Sequence, residues 1–290
     1  MSKVRVHEYA KKVNKTSKEV IEQLAKINLQ VKNHMAVIDE QAVSKLDSVF
    51  KQAAEPTTAK KSSANDLVTN IDRETELYLI EKIKEFNPTH RILGEEGMGE
   101  KVTSLEGVVW IIDPIDGTMN FVKQHRHFMI SVGVYVDGVG VLGYIFDVMR
   151  EDLFYAIAGQ GAWYNDSPMR KLQSLKIEEA VIGINANWVT PNNRINHEKI
   201  IELVRTVRGT RSYGSAAMEI AFVVSGKLDA YISMRLAPWD IGGGVVIAKE
   251  VGAIATNLKG QAFDFLSTDT FLIANPHIHQ KILDNYIEEK

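Results

Sequence analysis

Residues 107–118 read Gly107-Val-Val-Trp-Ile-Ile-Asp-Pro-Ile-Asp-Gly-Thr118, an apolar run that ends in two acids and a glycine. Val108 to Ile112 are continuously apolar, the pattern of a strand covered on both faces. Such a strand needs helices or a second sheet above and below it. Asp113 and Asp116 have only Pro114 and Ile115 between them. If the backbone stays extended, both side chains are expected to face the same way. Two carboxylates about 4 Å apart repel by roughly 4 kcal/mol at an effective dielectric of about 20. Either one of them holds a proton or a cation bridges them. Hard divalent cations with oxygen ligands suit the second solution. Gly117-Thr118 then opens a helix whose free N–H groups would form an anion site beside the cations.

Three more segments set acids at the end of a strand or the start of a helix: Asp66-Leu-Val-Thr-Asn-Ile-Asp72, Gly94-Glu-Glu-Gly97 and Pro238-Trp-Asp240. Taken singly, each acid has an ordinary reading. Asp113 and Asp116 fit a turn before glycine. Asp72 and Asp240 fit helix caps. Glu95 and Glu96 fit a solvated loop. Together they describe cations, an anion pocket and a hydroxyl at one point, which is a layout for phosphoryl transfer.

The rest of the chain fits a soluble enzyme of 290 residues. Hydrophobic residues at 45% and charged residues at 24% match an ordinary globular core and surface. There is no cysteine, which excludes disulfides, zinc thiolates and cysteine nucleophiles and suits a reducing cytoplasm. No apolar run approaches the length needed to span a bilayer, and no apolar signal region follows Lys3, Arg5 and His7, so no membrane partner is expected. Residues 1–61 hold 12 Lys+Arg against 7 Asp+Glu, while the remainder holds 22 against 30. A basic head on an acidic body suggests two units with different partners.

Helix signals occur at Ser17–Leu24, behind a Thr16/Ser17 cap, and at Asp39–Phe50. Residues 54–64 lack periodicity and read as a linker. A helix is expected from about Arg73 to Phe86. Antiparallel strands follow over 128–165, with turns at Asp137-Gly138, Met149–Glu151 and Gly159–Gly161. Helices near 196–208 and 214–225, a strand at Asp229–Ser233 and a helix at Ile241–Val251 complete an α+β sandwich. Three parts are expected: a small helical segment at 1–53, the linker 54–64 and a catalytic domain at 65–290.

From about Lys61 onward the chain resembles the inositol monophosphatases. The resemblance rests on Lys61–Thr69, Gly94-Glu-Glu-Gly97, Trp110–Phe121, Tyr213-Gly-Ser-Ala-Ala217 and Pro238–Gly244. It implies a layered α/β/α/β/α sandwich, two or three Mg²⁺ ions, inhibition by lithium and a homodimer. Glu95, Asp113 and the carbonyl of Ile115 would hold one metal. Asp113, Asp116 and Asp240 would hold a second, and Glu95 with Glu96 a weaker third. Asp72 and Thr118 would orient and deprotonate the attacking water, with Glu95 beside them in the catalytic group. Gly117 and Thr118 would receive the phosphate. Ala216, Ser233 and Asp240 would line the substrate's side, with Lys61 near the active-site loop. His125 and His127 are expected to be surface or packing residues.

Two departures stand out. In animal members, a glutamate seven residues before the Trp-Asp aspartate contacts the inositol hydroxyls, and here that position is Ser233. Inositol 1-phosphate is the first substrate to expect. Arg235 near the pocket also admits NADP, 3′-phosphoadenosine 5′-phosphate or fructose bisphosphate. Second, Lys3–Lys11, Ser17–Ile21 and Asn33–Ala36 resemble the start of bacterial translation initiation factor two. That resemblance implies a ribosome or RNA contact through residues 1–53. The alternative is a fused helical piece with no role of its own.

Overall fold

The computed structural model describes residues 4–290 apart from Asn14, Asn28, Gln30, Lys32, 55–57 and 61–66. The chain divides into two compact units, residues 1–57 and 58–290.

The first unit has its own core. Strand β1 (Val4–Arg5) pairs antiparallel with β2 (Val37–Ile38), and helices α1 (Val6–Lys12), α2 (Ser17–Lys26) and α3 (Glu40–Ala54) accompany them. Thr16 caps α2 in a reciprocal box: its hydroxyl accepts the Glu19 N–H at 3.2 Å, and Glu19 accepts the Thr16 N–H at 2.7 Å. Val20 and Leu24 turn inward on α2 and meet Val6, Tyr9, Ile38 and Leu46. The Tyr9 hydroxyl donates to Asp47 at 2.7 Å.

The second unit opens with a hairpin, β3 (Thr58–Lys60) against β4 (Leu67–Thr69). Part of the stretch expected as linker is therefore paired strand. Threonine and lysine carried no periodicity over so short a run, and the pairing supplies what the pattern lacked. Helix α4 (Asn70–Phe86) starts three residues earlier than expected, because Thr69 is its N-cap. A seven-stranded sheet follows, built from β5 (Arg91–Gly94), β6 (Val108–Asp116), β7 (Met129–Val136), β8 (Val139–Asp147), β9 (Asp152–Ile157), β10 (Gly161–Tyr164) and β11 (Ser167–Pro168). Its strands lie in chain order, all antiparallel except β5 beside β6. Helix α5 (Thr118–Gln124) leaves the end of β6.

The remaining elements build a five-stranded sheet and its helices. They are β12 (Val181–Ile184), α6 (His197–Thr206), β13 (Gly209–Arg211), α7 (Ala216–Val224), β14 (Ala230–Leu236), α8 (Pro238–Val251), β15 (Ile254–Thr256), β16 (Asp269–Ala274) and α9 (Pro276–Tyr286). The sheet order is β13-β12-β14-β16-β15. Helices α7 and α8 share one buried core with both sheets, α6 and α9 cover the outer face of the second sheet, and α4 packs on β6. The layers are α/β/α/β/α, as expected.

Strand β6 shows why its apolar run is unbroken. Val109 and Ile111 face the α7/α8 core, while Trp110 and Ile112 face α4. Helix α8 approaches that sheet unusually closely. A Cβ on Gly243 would lie 2.6 Å from the carbonyl oxygen of Tyr144, and one on Gly133 would lie 2.5 Å from that of Gly242. Only glycine on both surfaces permits this contact. The Tyr135 hydroxyl donates to the Gly242 carbonyl at 2.8 Å and fixes the helix in register.

Candidate active site

Asp113 and Asp116 are three positions apart, which in a regular strand puts them on opposite faces. The expectation that plain extension would align them fails. What aligns them is a register shift against β7: Asp113 faces Ser131 and Asp116 faces Met129, so β6 carries one extra residue there. A bulge of this kind re-aims a side chain. It returns Asp116 to the side of Asp113.

Helix α8 delivers the third acid. Asp240 is the third residue of the helix and not its N-cap; the cap is Ala237, whose N–H donates to Asp240 at 2.7 Å. Carboxylate oxygens of Asp113, Asp116 and Asp240 lie within 4.8 Å of one another. Glu95, at the end of β5, lies against Asp113 close enough to share a hydrogen bond with it. Its own N–H donates to the Ile112 carbonyl at 3.2 Å. Beside it, the buried carboxylate of Glu96 is 3.9 Å from Arg73 Nε.

Burial pushes the Asp113 carboxyl well above its ordinary range, and the negative charges of Glu95, Asp116 and Asp240 push it further. Asp240 is also pushed well up, by burial and then by Asp116, with the Ala237 N–H and Arg235 acting against them. Asp116 is raised less. Burial raises it, but the Ala217 N–H, the Ser215 hydroxyl at 2.8 Å and the Ala216 N–H stabilise its charge. Those groups form the first turn of α7, where a helix N-terminus favours an anion. Ser215 was not singled out from the sequence. It doubles as N-cap of α7, donating to Asp116 while accepting the Met218 N–H at 3.2 Å.

The second group of residues centres on Asp72. Its Oδ2 accepts the Thr69 N–H at 3.0 Å and the Thr69 hydroxyl, as the reciprocal half of a helix cap. Its Oδ1 is 3.1 Å from the Thr118 hydroxyl. That hydroxyl also lies 3.2 Å from the Ile115 carbonyl. Asp72 is thus both a capping residue and a partner of Thr118. Gly117 stands as N-cap of α5, immediately before Thr118.

A cavity of about 290 Å³ opens beside the acids, with Asp116, Ala216, Glu219, Ser233, Arg235 and Asp240 on its walls. The Ser233 hydroxyl is occupied locally, 3.3 Å from the Arg235 carbonyl and 3.4 Å from its N–H. Glu219 is a second residue that sequence reading passed over. Its Oε1 accepts the Tyr213 N–H at 2.7 Å, its Oε2 is buried without a hydrogen bond, and burial pushes the carboxyl up to about 7. A larger cavity of about 460 Å³, at Arg170 and Lys227, contains none of the clustered acids, so size does not select the site. Lys61 and Asp66 lie outside the described residues.

An oxygen-only donor set of mutually repelling, largely buried carboxylates suits a hard divalent cation. Asp113, Asp116, Asp240 and Glu95 supply that set here.

The chain is similar to known proteins over most of its length. The chain matches the inositol monophosphatase family over residues 20–289. It is 53% identical over 234 residues to the inositol-1-monophosphatase of Bacillus subtilis (strain 168), covering 81% of this chain and 88% of the relative. It is 31% identical over 232 residues to Nus factor SuhB of Escherichia coli (strain K12), covering 80% and 86%. Structures of SaIMPase-II superpose with a TM-score of 0.72. The inositol monophosphate complex is 41% identical and covers 75% of this chain and 84% of that one. The 2′-AMP complex is 42% identical and covers 75% and 83%.

Proposed function

The chain belongs to the inositol monophosphatase family, and on that premise we propose that it is a phosphomonoesterase acting on a small phosphorylated alcohol, inositol 1-phosphate first among them. The observation that carries this reading is the meeting of Asp113, Asp116 and Asp240 within 4.8 Å at the end of β6. Asp113, Asp116, Asp240, Glu95 and the Ile115 carbonyl would hold two or three Mg²⁺ ions, with Glu96 near the weakest. Bound there, Mg²⁺ would supply positive charge to the phosphate and lower the pKa of water.

The chain's own part is to place and deprotonate that water. The Thr118 hydroxyl has one proton and two acceptors in reach, Asp72 and the Ile115 carbonyl. Donating to Asp72 leaves its lone pairs free to accept a proton from water on the open side. Thr69 holds the other Asp72 oxygen, so the acid keeps its direction as the proton passes. Gly117 and Thr118 N–H groups would receive the phosphate, and Ala216, Ser233 and Asp240 the alcohol.

A nucleotide ester is the second reading. Arg235 is exposed at the rim of the cavity, and a partly buried Trp188 stands on its wall. A cation and an aromatic face suit a further phosphate and a base. The 2′-AMP complex of SaIMPase-II supports it. Phosphate release should be compared across inositol 1-phosphate, NADP, 3′-phosphoadenosine 5′-phosphate and fructose bisphosphate, with Mg²⁺ or EDTA, for wild type, Asp116→Asn and Arg235→Ala. Mg²⁺-dependent release that Asp116→Asn abolishes supports the enzyme. A nucleotide preference lost in Arg235→Ala supports the second reading. No release from any ester by folded protein sinks both. Lithium is expected to inhibit.

The resemblance also supports a cytoplasmic homodimer, to be checked by sedimentation and fractionation. No helix among the described residues is long and apolar enough to cross a membrane. The basic balance of residues 1–61 and the resemblance of 1–53 to initiation factor two support a ribosome or RNA contact. Salt-dependent pelleting with ribosomes, lost on deleting residues 1–60, is the expected result.

A further inference from the structure

Glu76 lies one turn beyond Asp72 on α4 and is fully buried. Its two carboxylate oxygens are both committed to backbone. Oε2 accepts the Glu96 N–H at 2.8 Å, and Oε1 accepts the Met98 N–H at 2.8 Å. Both donors belong to the turn that follows β5, closed by the Gly97 N–H on the Gly94 carbonyl at 3.3 Å. The carboxylate lies flat against Gly94: a Cβ there would stand 2.4 Å from Glu76 Cδ. On the turn's other side, the Glu95 N–H is held by the Ile112 carbonyl, one residue before Asp113.

We propose that Glu76 is the positioning residue of the Glu95–Glu96 turn, the side chain that sets where the Glu95 carboxylate meets Asp113. This rests on the reading of Glu95 as a metal ligand. Three observations carry it. Each oxygen accepts a backbone N–H of the turn, and Glu76 does not stand among the clustered acids Asp113, Asp116 and Asp240. The two groups it grips flank Glu95 on its C-terminal side, while β6 grips Glu95 itself, so the turn is fixed at both ends. Gly94 removes the one Cβ that would keep the carboxylate away. A buried carboxylate that accepts from two backbone N–H groups is also selective for its own chemistry. An amide there would turn an N–H donor toward one of two backbone donors.

Helix α4 therefore serves both parts of the site from one face. Asp72 steadies Thr118, and Glu76, four residues on, steadies the turn that presents Glu95. Partners of metal ligands commonly change metal affinity by 10–100-fold when altered.

The test is Mg²⁺ binding by calorimetry and Mg²⁺-dependent phosphate release, on the full chain, for wild type, Glu76→Gln and Glu76→Asp. Glu76→Gln is expected to weaken Mg²⁺ binding about tenfold or more, with kcat at saturating Mg²⁺ much less changed. Glu76→Asp keeps the charge but cannot span both N–H groups, and its loss is expected to be smaller. A merely structural role would lower the metal-free melting temperature and leave the dissociation constant unchanged. Should Glu76→Gln fail to fold, Glu76→Asp decides. In the wild type without metal, slow amide exchange at Glu96 and Met98 is expected. Fast exchange there, or folded variants that titrate like wild type, overturns the proposal. Asp116→Asn separates the two readings: if it binds Mg²⁺ normally, the metal site itself is misassigned; if it loses Mg²⁺ while Glu76→Gln does not, only the role of Glu76 falls.

Discussion

At the scale of single residues, function here depends on oxygens held in direction by other oxygens and by N–H groups. The Thr118 hydroxyl, 3.1 Å from Asp72 and 3.2 Å from the Ile115 carbonyl, links that acid to the end of β6. Thr118→Ala removes the proposed proton acceptor but leaves Asp72 capping α4 through Thr69. Positioned proton transfer contributes about 10²–10⁴-fold. Thr118→Ala is accordingly expected to lower kcat by at least about 10²-fold with an unchanged circular dichroism spectrum and unchanged Mg²⁺ binding. A loss under tenfold would remove Thr118 from the proton path. Ser215→Ala should act differently, because Ser215 is a cap as well as a support for Asp116. Its expected cost is about 1 kcal/mol of stability in urea unfolding, as for other lost N-caps, together with weaker Mg²⁺ binding. Stability lost without any change in Mg²⁺ binding would reduce Ser215 to a cap alone.

At the scale of elements, the site is an intersection. Strand β6 brings Asp113 and Asp116, α8 brings Asp240, the turn after β5 brings Glu95, and α4 brings Asp72. The intersection depends on how closely α8 lies on the sheet. Alanine favours a helix over glycine by about 0.8–1.0 kcal/mol, so Gly243→Ala would stabilise α8 if the helix stood alone. In place, the new methyl would lie 2.6 Å from the Tyr144 carbonyl oxygen and 2.9 Å from that of Val132. Overpacking of this kind costs about 1–3 kcal/mol. Gly243→Ala is expected to be destabilised in urea and to bind Mg²⁺ more weakly, since Asp240 moves with the helix. An unchanged midpoint and unchanged affinity would mean that the helix has room to shift.

At the scale of the molecule, the clustered acids make folding and metal binding one linked equilibrium. Asp113 and Asp240 have folded-state pKa values raised by burial and by their neighbours, and burial brings Glu219 to about 7. The folded state therefore holds these protons more tightly than the unfolded chain does. Stability from this source is present below the ordinary carboxylate pKa of about 4 and is lost as pH rises through the folded-state values. Metal-free protein is expected to melt lower at about pH 8 than at about pH 5, and Asp240→Asn should flatten that dependence. Mg²⁺ reverses the loss, since a ligand at about 100 times its dissociation constant adds about 2.7 kcal/mol. Thermal melts in EDTA and in Mg²⁺ across this range check the sign. A metal-free melting temperature that climbs toward pH 8 would contradict it.

Much of this was determined by sequence alone, wherever the relevant physics is local. The apolar run of β6, the turns at Asp137-Gly138 and Gly159–Gly161 and the helix cap at Thr16 are properties of short windows, and each is where it was expected. Asp113 and Asp116 were legible as a pair. The reason they face one another was not, because a bulge is defined by the register of β7 across from it. Glu96 was grouped with Glu95 from adjacency, and that its buried carboxylate lies 3.9 Å from Arg73 is a contact that adjacency does not show. Glu76 stood four residues after Asp72 and drew no notice, since a glutamate inside a helix ordinarily faces water. Only packing shows that this one is buried with both oxygens bound to backbone. The strand at Thr58–Lys60 and the support of Asp116 by Ser215 share that cause. Sequence determined which groups this protein has and which elements carry them. Tertiary structure decided which oxygens meet, because a contact between residues distant in sequence depends on registers and close approaches that no single segment contains.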